Sequence, residues 1–144
     1  MSNGSDRLEI RAIDCILYNR RAWRQYVNML EPYSGGSLVV LPVSRVTGDP
    51  VASVAVTRAT VTTVLDAVDR ALAHLPRHYR KIARLRYDEQ LTYPEIAARV
   101  GFSEKTIKRR VDRIRLRVKF ELQNLGTDIL AAFWREIDRK LSAL

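Results

Sequence analysis

Residues 91–120, LTYPEIAARVGFSEKTIKRRVDRIRLRVKF, carry the pattern that decides the fold. Thr92 and Glu95 have the spacing of a capping box, in which each residue satisfies a free amide of the other at the start of a helix. Gly101 suits a tight turn that needs a positive φ, and Ser103 is a favourable N-cap for a second helix. The segment therefore predicts a short helix, a glycine turn and a long basic helix, which together form a helix-turn-helix.

Positive charge is concentrated around this pattern. Residues 75–119 contain 14 Lys or Arg against 5 Asp or Glu, a surplus of +9 that equals the formal net charge of the 144-residue chain. A charge run alone fits a solvated basic helix, but here it coincides with two caps and a glycine turn. That combination is typical of a module that binds double-stranded DNA. RNA is a weaker interpretation, because the sequence offers no aromatic stacking platform.

The long helix is predicted to have one buried and one exposed face. With Ile107 at zero on a helical wheel, the apolar residues Val111, Ile114, Val118 and Leu125 fall within about 40° of it. Recognition helices present their N-terminal residues to base edges in the major groove. The base-reading candidates are therefore Glu104, Lys105, Lys108, Arg109 and Asp112. Side chains placed to bind phosphates are Thr92, Arg99, Arg110 and Arg113, with Arg77, Arg80, Lys81 and Arg84 on the preceding helix.

Helical periodicity extends through most of the remaining chain. Residues 6–30 predict an amphipathic helix, and residues 38–43 fit either a short strand or an extended segment. Residues 50–74 keep helical spacing despite many Val and Thr, so we expect a long helix there, with Asp49 as its N-cap and Pro50 in its first turn. The expected fold is all-α, divided into 1–49 (N-terminal helix and linker), 50–126 (DNA-binding module, with the helix-turn-helix in 75–119) and 127–144 (C-terminal amphipathic helix).

Few residues are suited to catalysis or metal binding. The single cysteine, Cys15, is expected to pack in a core, and Pro76 separates His74 from His78 with no further ligand nearby. We therefore expect no enzyme activity, no metal and no cofactor. The longest apolar run, 38–43, is too short to span a bilayer, and no secretory signal pattern starts the chain. These features predict a cytoplasmic protein that does not bind membranes.

Several motifs resemble region 4 of bacterial sigma factors. They are Leu75-Pro76, Leu85-Arg86-Tyr87, residues 91–97, Gly101-Phe102-Ser103 and Thr106-Ile107-Lys108. The whole layout is similar to the ArpU/RinA group of phage and prophage transcriptional regulators, with Leu17-Tyr18-Asn19 on the first helix and Asp49-Pro50 before the long one. This resemblance implies an activator of late phage genes that works with the RNA polymerase of a bacterial host. A small terminase-like packaging protein, which also uses a helix-turn-helix on DNA, is the alternative.

Apolar residues outside the wheel's buried stripe predict a further interface. Leu116 and Phe120 lie on the side of the long helix away from Ile107, and Trp23 and Trp134 are large apolar anchors elsewhere. We expect these residues to form a homodimer that reads paired half-sites. Packing of the C-terminal helix within one chain, or contact with RNA polymerase, would account for them as well.

Overall fold

The computed structural model describes residues 3–29, 38–43, 52–126 and 128–133, and side chains within 10–29, 58–126 and 128–133. Its elements follow in chain order: α1 (Asn3–Met29), β1 (Leu38–Val43), β2 (Ala52–Thr57), α2 (Arg58–Ala73), α3 (Arg77–Ala83), a π-helical turn (Arg84–Asp88), α4 (Tyr93–Val100) and α5 (Glu104–Gln123). A final helical segment covers residues 128–133.

The core is built around α5. Its apolar stripe, formed by Ile107, Val111, Ile114, Val118 and Leu122, is fully buried. Helix α2 supplies the largest contact with α5 through its own buried face, which is rich in valine and alanine. Helices α1, α3 and α4 pack around this pair. The helical wheel of the long basic helix is thus confirmed for the four residues from Ile107 to Val118, and Leu125 is half-buried against the same core.

Local sequence signals fix the start of α4, the turn and the start of α5. The Thr92 Oγ accepts from the Glu95 amide, and the Glu95 side chain accepts from the Thr92 amide, so the predicted capping box is present. Gly101 ends α4 with φ of 82°, in the left-handed region. The Ser103 Oγ then accepts from the amide of Thr106 and caps α5. All three predictions for this segment are confirmed.

A β-hairpin replaces the first part of the predicted long helix. Strands β1 and β2 are antiparallel, with Leu38 opposite Thr57 and Val43 opposite Ala52. Outside the two strands, the described elements are helical as the all-α prediction requires, but the expected helix over 50–74 is wrong for 52–57 and begins at Arg58 instead. The residues ASVAVT of β2 favour strand because β-branched side chains pack well on a pleated surface. Asp49 and Pro50, expected at the helix start, lie outside the described residues.

Helix α1 is attached to α2 and to the π-helical turn by ion pairs. The Arg20 guanidinium donates to Asp69 at 3.0 Å and to Asp88 at 3.2 Å. One turn later, Arg24 donates to Asp66 and Asp69, both at 2.8 Å. Arg20, which interrupts the apolar face of α1, therefore links three elements that are far apart in sequence.

Two side chains of α1 that the sequence singles out belong to the core. Cys15 is buried beside Asn19, and burial raises the pKa of its thiol to about 12, so the thiol stays protonated near neutral pH. Trp23 is fully buried, with its ring 6.2 Å from that of Phe133. The expectation that Trp23 forms an intermolecular interface is therefore wrong. Trp134, the other tryptophan predicted at an interface, lies outside the described residues.

The turn glycine provides a test of backbone strain without steric crowding. A Cβ at Gly101 would meet no described atom within 4 Å, so only its φ of 82° penalises a side chain. Gly101→Val should lower the free energy of unfolding by about 1–3 kcal/mol, because a β-branched residue is poorly tolerated in the left-handed region. Chemical denaturation measures the change. Gly101→Asn, which tolerates this region better, should cost less, and equal losses for both variants would contradict the explanation.

Candidate nucleic-acid interface

The predicted base-reading side chains share one exposed face of α5. Glu104, Lys105, Lys108, Arg109 and Asp112 are all exposed in the first half of the helix. The buried residues Ile107 and Val111 lie between them in sequence and hold the opposite face against the core. This arrangement leaves the N-terminal half of α5 accessible, as insertion into a major groove requires.

Asp112 differs from its neighbours because its carboxylate is already held. Arg115 donates from Nη1 to the Asp112 Oδ1 at 2.8 Å, while the Asp112 side chain stays 67% exposed. One oxygen of this carboxylate therefore already has a partner on the exposed face of α5. Its second oxygen is the atom that a cytosine amino group could reach.

Arg110, predicted to bind phosphate, lies against two aromatic rings. Its guanidinium carbon is 4.5 Å from the centre of the Phe102 ring and 5.5 Å from that of Tyr79. Both distances are within the range of cation–π contact. Phe102 itself is exposed in the turn between α4 and α5. Arg110 is therefore held near the turn, where a guanidinium with a restricted position loses less entropy on binding.

The remaining phosphate candidates differ in their surroundings. Arg84 and Arg99 both lie 3.8 Å from the carboxylate of Glu89, and Arg80 donates to the carbonyl of Ala73. All three are exposed, so these contacts are weak and screened by salt. The other candidates, Arg77, Lys81 and Arg113, are exposed as well.

Arg86 connects α1 to the first helix of the helix-turn-helix. Its guanidinium carbon lies 4.2 Å from the centre of the Tyr93 ring and 5.7 Å from that of Tyr18. Its Nη1 donates to the carbonyl of Leu91 at 3.1 Å. The Lys108 ammonium lies 5.8 Å from the same Tyr93 ring. A predicted base-reading lysine thus shares an aromatic neighbour with a half-buried arginine of the π-helical turn.

Asp14 of α1 forms the contact that sequence reasoning missed. It accepts from Arg115 Nε at 3.0 Å and Nη2 at 2.9 Å, and from the Tyr87 hydroxyl at 2.8 Å. Tyr87 in turn packs edge-on against Tyr18, with ring centres 4.8 Å apart. Burial, followed by the charge of Asp14, holds the pKa of Tyr87 well above its usual value, so the hydroxyl remains a donor.

Burial lowers the pKa of Arg115, but hydrogen bonding to Asp14 and nearby charges outweigh it and raise the pKa above its ordinary value, so this guanidinium stays charged. Most of the pair is shielded from water, with side-chain exposures of 16% for Arg115 and 14% for Asp14. Charge counting along the sequence treats Arg115 like its exposed neighbours, although it faces inward to α1. The signal that could have found this contact is the position of Asp14, a carboxylate one helical turn before Tyr18 on α1.

An exposed apolar pair lies further along α5. Leu116 is 64% exposed and Phe120 is 56% exposed, with the Arg117 guanidinium 5.9 Å from the Phe120 ring. The final helical segment does not cover them: Phe133 packs on Trp23, and Ile129 and Leu130 pack against the core. The idea that the C-terminal helix buries Leu116 and Phe120 is therefore wrong for residues 128–133.

Residues 65–118 match the family model described as sigma-70, region 4. The match runs from the middle of α2 through the helix-turn-helix into α5, so a DNA-binding helix-turn-helix domain of this type is present in the chain. That family is one of DNA-binding, non-enzymatic domains. Comparison with curated proteins and with solved structures gave no match. Within the described ranges, no helix has the length and apolar character needed to cross a membrane.

The capping box of α4 predicts a pH dependence of stability. The backbone amide of Thr92, and then its hydroxyl, hold the pKa of Glu95 below its ordinary value of 4.5. The stabilisation is therefore complete above pH 4.5 and is lost as the pH falls through the lower, folded-state pKa. The difference in free energy of unfolding between wild type and Glu95→Gln should shrink as the pH falls below about 4.5. Denaturation curves that stay equally separated from pH 7 to pH 3 would contradict this assignment.

Proposed function

We propose that the protein is a sequence-specific double-stranded DNA-binding transcription regulator that acts at promoters. The observation that carries this proposal is the exposed, charged first half of α5, held by its buried stripe within a helix-turn-helix of the sigma-70 region 4 type. Region 4 of sigma factors is a promoter-reading module, which favours regulation over packaging of DNA.

Two groups of side chains divide the work of binding in this proposal. Base edges are read by the exposed face of α5: Glu104, Lys105, Lys108, Arg109 and Asp112. Lysine and arginine recognise guanine, and a carboxylate accepts from the cytosine amino group. Phosphates are bound by Thr92, Arg99, Arg110 and Arg113 of the helix-turn-helix, and by Arg77, Arg80 and Arg84 along α3 and the π-helical turn. Contacts of the second group give affinity without sequence preference.

The resemblance to the ArpU/RinA group extends the proposal to a biological setting. We propose that the protein activates late genes of a phage or prophage in the cytoplasm of a bacterial host, together with the host RNA polymerase and without a cofactor. The test is to select preferred duplexes from a random library with purified protein, map the protected bases and assay transcription from that promoter. A protein that protects no defined sequence would refute the proposal.

Arg109 and Arg113 form a matched pair for testing base readout. Both are exposed arginines of α5, one on the proposed reading face and one in the phosphate group. Arg109→Ala should weaken binding to the selected duplex by about 1–3 kcal/mol while binding to a random duplex largely survives. Arg113→Ala should weaken binding to both duplexes alike and reduce the salt dependence by about one ion. Titrations at several salt concentrations separate the two, and equal losses on both duplexes for Arg109→Ala would move it to the phosphate group.

We also propose that the protein forms a homodimer through Leu116 and Phe120. Their exposure on a helix that already buries its opposite stripe supports this surface. A two-fold pair of reading helices would contact two half-sites and multiply affinity for a palindromic promoter element.

Sedimentation of the wild type and of Leu116→Glu/Phe120→Glu tests the dimer. We expect a wild-type dimer at micromolar concentration and a folded monomeric double mutant, since carboxylates would prevent burial of these positions. A wild-type monomer would refute the dimer. A large ring would favour the packaging alternative instead.

A further inference from the structure

Asp14 lies far outside the segment that matches sigma-70 region 4, yet it contacts the recognition helix directly. Residues 65–118 form that segment, and Asp14 is on α1, 101 positions before Arg115. Both oxygens of the Asp14 carboxylate accept from Arg115, at 3.0 Å and 2.9 Å. A planar guanidinium that donates from two nitrogens to one carboxylate is held in direction as well as in distance.

The remaining terminal nitrogen of Arg115 points to the reading face. While Nε and Nη2 donate to Asp14, Nη1 donates to the Asp112 carboxylate at 2.8 Å. The two carboxylates have different environments: Asp14 is 14% exposed and Asp112 is 67% exposed. Arg115 therefore bridges a half-buried carboxylate of α1 and an exposed one that faces the proposed DNA site.

We propose that Asp14 is a positioning residue for base readout, acting through Arg115 on Asp112. This inference rests on the proposed function, because it requires α5 to read bases. Asp14 fixes the guanidinium, the guanidinium fixes one oxygen of Asp112, and the other oxygen remains for a cytosine amino group. Without Asp14, the Arg115 side chain samples more rotamers and Asp112 loses its fixed partner, so discrimination between base pairs falls.

The neighbouring hydroxyl strengthens the positioning. Tyr87 donates to the same Asp14 oxygen that accepts from Arg115 Nε, at 2.8 Å. Asp14 is thus bound from the π-helical turn as well as from α5, and both contacts restrict the position of its carboxylate. Helix α1 in this way becomes part of the DNA-reading apparatus and not only a cover for its core.

The experiment compares specificity and stability in the full chain. The wild type first selects a preferred duplex, and Kd is then measured for it and for duplexes with each base pair under α5 replaced. Asp14→Asn and Arg115→Lys should lower the ratio of the two affinities by about threefold to tenfold at the base pair read by Asp112. Lysine keeps the charge of Arg115, but its ammonium lacks the planar fork that spans two carboxylates.

Arg24→Gln is the matched control. Arg24 anchors α1 through Asp66 and Asp69 of α2, so the variant weakens the attachment of the same helix without touching Arg115. It should lower thermal stability and leave the affinity ratio unchanged. If Arg24→Gln lowers the ratio as much as Asp14→Asn does, Asp14 acts only by holding α1 in place and the proposal is overturned.

A second arm tests the route through Asp112. In an Asp112→Ala background, Asp14→Asn should cause no further loss of discrimination between base pairs. The carboxylate through which Asp14 and Arg115 act on the DNA is already absent. Additive losses would overturn the proposed route. Arg115→Lys provides the same comparison if Asp14→Asn fails to fold. If the wild type is selective and its selectivity survives Asp14→Asn and Arg115→Lys, only the role of Asp14 is refuted. If the wild type has no preferred duplex, the proposed function is refuted as well.

Discussion

The structure depends on a single helix that must bury one face in the core and leave the other exposed. Helix α5 buries a continuous stripe of Ile107, Val111, Ile114, Val118 and Leu122, and this stripe holds α2, α3 and α4 together. The opposite side must stay exposed and charged at its N-terminal end. Among the described elements, helices α1 to α4 cover the first surface and leave the second exposed. The residues that stabilise the core and those left accessible to a ligand therefore lie on opposite faces of α5, because residues three to four positions apart share a face.

Helix α1 is held in place on the buried side of the domain by apolar contacts and by ion pairs. The apolar face of α1 is buried, while Arg20 and Arg24 reach α2 and the π-helical turn, and Asp14 reaches α5. Ion pairs of this kind add little net stability when they are exposed. When partly buried they penalise any arrangement that separates the partners. They therefore favour the one arrangement of α1 in which all of these partners meet.

Sequence reasoning succeeded where the physical signal is local. The capping box of Thr92 and Glu95, the left-handed Gly101 and the Ser103 cap each depend on residues within four positions. The stripe of α5 is a regular 3.6-residue repeat. The prediction from sequence was wrong at 52–57. Over so short a length, this mixture of Ala, Val, Ser and Thr is compatible with a strand and with a helix. The antiparallel partner β1, which decides between them, lies across a linker.

The candidate DNA-binding side chains divide in the same way into those that a local pattern predicts and those that it does not. Exposure of Lys108 and Arg109 follows from the helical wheel, since it depends only on their position relative to Ile107. The inward direction of Arg115 depends on Asp14, 101 positions away. No periodicity within α5 distinguishes Arg115 from Arg113 or Arg117. Long-range pairing of this kind requires the packing of α1 on α5, and that packing is a property of the tertiary structure.

The buried thiol of Cys15 makes the opening of α1 chemically measurable. Only a thiolate reacts readily with disulfide reagents, and this sulfur is shielded from solvent with a pKa of about 12. Reaction must wait until α1 lifts away from its neighbours and the pKa returns toward its ordinary value. Because Cys15 is the only cysteine in the 144-residue sequence, the rate of thiol modification of the whole chain reports those openings without interference from another sulfur.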